Sequence, residues 1–108
     1  MSMFYDHLVA WPVVNAKLAE FDLTTGERDE LLRLLDETIH FEVMRHLFEV
    51  LPLHVHEHFI LQVKEAPHSH ERLTFIKQYH PHAEDTIRMV TEKSTQRFLD
   101  TIHASMVH

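Results

Sequence analysis

Apolar and polar positions alternate with a helical period along most of this chain. Leu32, Leu35, Ile39, Val43, Leu47 and Val50 recur at spacings of three and four. That spacing lines one face of an α-helix, which turns once every 3.6 residues. The segment also announces its start. Thr24 is followed three residues later by Glu27, the capping-box arrangement. In it each side chain satisfies a backbone N–H that the first helical turn leaves free. Glu27, Asp29 and Glu30 place negative charge near the positive end of the helix dipole. Pro52 cannot donate a ladder hydrogen bond, so it stops the run after Leu51. The pattern predicts one long helix from about Thr24 to Leu51.

Shorter stripes flank it. Val55, Phe59, Ile60 and Val63 predict a helix opened by Pro52 and closed before Pro67. Ser69 is placed to cap the next helix, which carries Leu73, Phe75, Ile76 and Tyr79 and ends at His80-Pro81. Ala83, Ile87, Val90, Ser94, Phe98 and Ile102 keep the period through a second long helix that runs to about Met106, with Glu84 and Asp85 in its first turn. Near the N-terminus, Val13 to Phe21 reads as a short helix with Pro12 in its first turn. The fold class expected is all-α, a small bundle of four to five helices in a single domain over residues 1–108. Several topologies share this periodicity, so the pairing order of the helices is left open.

Composition supports helices and narrows function. Gly26 is the only glycine among the 108 residues. Sheet proteins need many tight turns, and tight turns need glycine. A phosphate-cradling glycine-rich loop is excluded for the same reason. The chain has no cysteine, which removes disulfides, thiolate nucleophiles and cysteine-type zinc sites. A formal charge of −7 repels phosphate backbones, so no nucleic-acid partner is expected. No apolar run approaches the roughly 20 residues of a membrane span, and the first residues lack the basic start of a signal peptide. A cytoplasmic protein with no membrane partner is expected.

From Phe21 to about Ile102 the order of features resembles a known family. Asp22-Leu23-Thr24 leads into a capped helix, and Glu37-Thr38-Ile39 is followed by Val43, Arg45 and Leu47. Phe59 is the central aromatic of a short helix. Leu73-Thr74-Phe75-Ile76-Lys77 forms another, and Pro81 through Asp85 opens a long one. These features resemble a family of small all-helical bacterial domains catalogued as a domain of unknown function, over roughly residues 21–102. The resemblance implies an all-helical fold and lends no catalytic residue. The chain departs from the family pattern at His54, His56, His58 and His70, where acidic residues are usual.

Twelve histidines are the abnormal feature of the composition. Imidazole is a common ligand for zinc, nickel and copper. On a helix, residues four apart share a face, so His54 and His58 could hold a divalent metal with Glu57 as a third group. His68 and His70 form one turn pair and His80 and His82 another, but roughly 15 Å of helix separates the pairs. Neither His56-Glu57 nor His70-Glu71 is followed by the second histidine of a zincin motif. Glu37/His40 and Asp100/His103 have the spacing of carboxylate-bridged bundle sites, yet Glu37 falls off the apolar stripe and should face solvent. A pH response is a second reading. Protonating nearly all the histidines would carry the charge from −7 to about +4. The reading adopted is plainer, a solvated surface that uses imidazole where Glu, Lys or Gln would serve. His46, on the flank of the main stripe, is expected to be half-buried with a backbone partner.

No serine lies in a Gly-x-Ser-x-Gly elbow, and no other catalytic motif appears, so no enzyme activity is expected. The N-terminal cluster of Phe4, Tyr5, Leu8 and Trp11 is too apolar for a free tail. Either it folds back over the bundle or it docks onto another chain. The function expected is a non-catalytic protein–protein interaction or small regulatory module, with a protein partner or homo-oligomer and with Phe4, Tyr5, Leu8 and Trp11 as contact residues. The alternative is a histidine-rich protein that binds zinc, nickel or copper through His54, Glu57 and His58, or a pH-responsive binding domain.

Overall fold

The structure, a computed structural model, describes residues 3–106, apart from the side chain of Met106; His108 lies outside them. It contains five α-helices, α1 (Trp11–Leu18), α2 (Thr25–Val50), α3 (His56–Glu65), α4 (Glu71–Lys77) and α5 (Ala83–Met106). Two 3-10 turns, Asp6–Leu8 and Leu53–Val55, complete the described elements, which include no strand. The chain is an all-α bundle.

The capping box is fully formed at the start of α2. Thr24 Oγ1 accepts from the Glu27 N–H at 3.1 Å, and Glu27 Oε1 accepts from the Thr24 N–H at 3.0 Å. That return bond holds the Glu27 carboxyl below its ordinary range. At the other end Leu51 turns extended ahead of Pro52. Pro52 is itself extended, so the 3-10 turn Leu53–Val55 precedes α3 and the helix opens four residues later than the sequence predicts. Ser69 Oγ accepts from the Glu71 N–H at 3.3 Å, one residue ahead of the formal cap, His70.

α2 and α5 form the spine. Residues near the start of α2 share walls with residues near the end of α5, and Thr38 and Glu42 share a wall with Ser94 and Arg97. The two helices therefore run antiparallel. Leu35, Ile39, Val43 and Leu47 of α2 are fully buried, and Ile87 and Val90 of α5 join them in one core with Phe59 and Ile76. At 1.5 Å per residue α2 is about 39 Å long, and the other elements cannot cover all of it. The radius of gyration is 15.4 Å, against about 13 Å for a compact domain of this length, and the molecule measures 48 × 22 × 20 Å.

The N-terminal segment folds back over this spine. Phe4 and Tyr5 are fully buried, and Leu8 nearly so. Phe4 meets Phe59 edge-to-face with ring centroids 6.2 Å apart, and its N–H donates to the Pro67 carbonyl at 2.7 Å. Thr91 Oγ1 of α5 donates to the Arg88 carbonyl at 2.8 Å and lies 3.5 Å from the Leu8 carbonyl oxygen. No described helix is long and apolar enough to cross a membrane.

Candidate docking groove

The two long helices have two flanks, and the described residues cover only one. A helix advances 100° per residue. On α2, Asp36 and His40 therefore lie on one side of the buried Leu35/Ile39 line, while Leu31, Leu34, Thr38 and Phe41 lie on the other. The first side is occupied. Tyr5 Oη lies 3.1 Å from His40 Nδ1, and the two rings stack with centroids 6.4 Å apart. The Met3 N–H donates to Asp6 Oδ2 at 2.9 Å, while Asp6 Oδ1 is buried without a partner. Burial, with Asp36 and Asp6 nearby, pushes the Tyr5 phenol far above its ordinary value. Burial, then repulsion from Asp6, raises the Asp36 carboxyl. This polar cluster clamps the N-terminal segment to α2, and α1 covers the same side of α5 through Val14 and Leu99.

The second flank is open. Between the first half of α2 and the last turns of α5 lies a groove of about 620 Å³. Leu23, Leu31, Leu34, Phe98 and Ile102 form its apolar floor. Glu27 and Glu30 stand on its rim with Thr101 and Ser105. Hydrogen bonds from Thr24 and Arg33 hold the two rim carboxyls below their ordinary range, so the rim keeps its negative charge at neutral pH. A smaller recess bounded by Thr38, Glu42, Ser94 and Arg97 continues the groove along the same face, sharing Phe98 and Thr101 with it. Phe41, two turns beyond Leu34, is 64% exposed, and Leu34 is 38% exposed. The arrangement can bury apolar surface from another helix, and a volume of this size suits several large side chains.

The residues singled out by sequence lie elsewhere. Phe4, Tyr5 and Leu8 are packed inside the chain and Trp11 is half-buried. The fold-back arrangement therefore uses them, and as placed the first three offer no surface to a partner. His54 lies in the 3-10 turn Leu53–Val55 and His58 in α3. A 3-10 turn therefore stands where the four-residue spacing assumed a continuous α-helix. His54, Glu57 and His58 are all exposed. His58 Nε2 lies 3.0 Å from Gln62 Nε2, and the His58 ring meets Phe75 edge-on. Among the described residues no three His, Cys, Asp or Glu side chains converge as metal ligands.

Of the described histidines, only His46, His56 and His80 are half-buried, and the rest are exposed. His46 approaches Glu49 and Arg45, not a backbone group. The histidine with the backbone partner is His56, whose Nε2 lies 2.8 Å from the Leu51 carbonyl oxygen at the broken end of α2. Glu37 faces solvent as expected, ion-paired with Arg33 at 2.6 Å.

The stronger Leu35/Ile39/Val43/Leu47 stripe dominates the periodicity of α2 and masks the groove-lining residues. Leu31, Leu34 and Phe41 form a second apolar line on the same helix, spaced three and seven residues apart. A helix apolar on two lines needs two neighbours. No protein-family model matches the chain, and no curated protein or solved structure does so either.

Proposed function

We propose that this domain is a non-catalytic protein–protein interaction module whose docking face is the open flank of the α2–α5 pair. One observation carries the reading. The long helices bury one flank under the N-terminal segment and leave the other as an apolar groove with an ionised rim. Water against Leu31, Leu34, Phe41 and Phe98 is unfavourable by about 25 cal/mol for each Å² of apolar surface, and a docked helix would release it. The matching surface is a helix with an apolar stripe, laid lengthwise in the groove as in other helix-in-groove recognition.

A photocrosslinking residue tests this in the cells that make the protein. Placed at Leu34 it should give a discrete adduct on irradiation. Placed at Met89, exposed on the far side of α5, it should not. The adducted partner, identified by mass, should then bind the purified domain and lose that binding with Leu34→Asp. No adduct from Leu34, or the same adducts from both positions, would overturn the reading.

A further inference from the structure

Folding brings together two histidines that lie far apart in the sequence. His7 sits in the 3-10 turn Asp6–Leu8, and His70 immediately precedes α4. Their ring centroids are 5.5 Å apart and the rings are tilted by 58°. Both side chains are exposed. Among the described residues neither ring is engaged in a hydrogen bond, whereas ring nitrogens of His40, His56, His58 and His80 are. A metal needs the imidazole lone pair, so His7 and His70 can offer what those four have committed elsewhere.

The separation fits one shared ion. Zinc takes imidazole nitrogens at about 2.0–2.1 Å, and two such rings at a tetrahedral angle have centroids roughly 5 Å apart. The ring torsion of histidine is broad, so exposed rings turn at little cost to aim one nitrogen each at a common point. We propose that His7 and His70 form a two-imidazole site for a divalent transition ion of the nickel, copper and zinc group, with water completing the coordination. Glu84 of α5 lies near enough to feel the charge of His7, and Lys77 holds it in an ion pair. It lends negative potential to the pair without joining it as a third ligand. The ion fastens the Asp6–Leu8 turn to the entry of α4, beside the point where the Phe4 N–H donates to the Pro67 carbonyl at 2.7 Å. The bridge is therefore a metal staple on the N-terminal segment. It stands at the opposite end of α5 from Phe98 and Ile102, and it does not depend on the docking groove. Copper should bind more tightly than nickel or zinc, in the usual order for nitrogen ligands.

Calorimetric titration of the tag-free, full-length protein with Ni²⁺ tests the site. The wild type should take up one equivalent ahead of any weaker binding. His7→Ala and His70→Ala should each weaken that first event at least about tenfold, and the double variant no further, because the two rings act as one unit. Both positions are exposed, so circular dichroism should stay unchanged. A His54→Ala, His58→Ala variant should bind as the wild type does. Traces of Cu²⁺, which relaxes the nuclei around it, should broaden the ring signals of His7 and His70 before those of the other histidines. The staple has its own readout. Ni²⁺ should slow amide exchange at Leu8 and Val9, whose N–H groups donate to the Tyr5 and Asp6 carbonyls, and it should not do so in His70→Ala. No uptake at one equivalent overturns the proposal, as does uptake that survives His7→Ala or broadening that begins at other histidines. Uptake at the pair that leaves Leu8 and Val9 exchanging as before overturns the staple.

Discussion

The two flanks of α2 belong to one helix, yet they meet different fates. On one flank the chain supplies its own cover. Tyr5 stacks on His40 beside Asp36, Phe4 packs on Phe59, and the Phe4 N–H donates to the Pro67 carbonyl. On the other flank Leu31, Leu34 and Phe41 face a groove with none of the other described residues laid across it. The difference teaches that an apolar line on a helix states a demand for a neighbour without saying where the neighbour comes from. The covered flank meets that demand within the chain, and the open flank directs it outward.

The sharpest way to break this comparison is to remove the cover. Phe4 is 1% exposed and packs edge-to-face on both Tyr5 and Phe59. Phe4→Ala should destabilise the domain by about 3–5 kcal/mol, the cost of an aromatic cavity in a packed core. Urea unfolding at neutral pH measures it. A loss below about 1 kcal/mol would mean that the N-terminal segment is not seated as part of the core, and the two flanks would then be alike.

How much of this was legible beforehand depended on the range of the interaction. The capping box at Thr24 and Glu27, the stop at Pro52 and the burial of Leu35, Ile39, Val43 and Leu47 are local, and spacing alone predicts them. The start of α3 differs from the expected one because Pro52 suits either a helix's first turn or an extended link, and here it is extended, with a 3-10 turn after it. The Tyr5–His40 contact spans 35 positions, and periodicity carries no information about it. The groove is intermediate. Its α2 half was visible as the Leu31–Leu34–Phe41 line, but its α5 half depended on knowing that the two long helices run antiparallel.

A milder substitution compares the free end of the hairpin with its buttressed middle. The capping box lies at the end where α2 and the last turns of α5 stand without α3 or α4 beside them. Thr24→Ala should cost about 1 kcal/mol, the ordinary value of a lost threonine cap. Amide hydrogen exchange should quicken first in the turn that includes Glu27 and Arg28, while Ile39 and Val43 keep their protection. Uniform loss of protection along α2 would mean that the end is no weaker than the middle.

The smallest expected effect tests how closely the cover fits. Under the N-terminal segment Asp36 faces Asp6, Glu37, His40 and the Tyr5 phenol, and burial and Asp6 together raise its carboxyl above the ordinary 3.8. A carboxyl that holds its proton more tightly in the fold than in the unfolded chain stabilises the fold while protonated, and that contribution fades as pH rises through the raised value. At neutral pH the ionised Asp36 is therefore a net cost. The solvent still reaching this side chain keeps the cost small. Asp36→Asn removes it, so the variant should melt slightly above the wild type at pH 7. The gap should close as pH falls to the ordinary carboxylate range. The groove supplies the contrast, because Glu30 on its rim is shifted the opposite way by Arg33. Glu30→Gln should bring no gain at pH 7 and a small loss, itself vanishing in acid. Opposite signs are what burial beside Asp6 at Asp36 and the Arg33 pair at Glu30 require. Equal signs would mean that the segment carrying Tyr5 and Asp6 does not press on α2 at all.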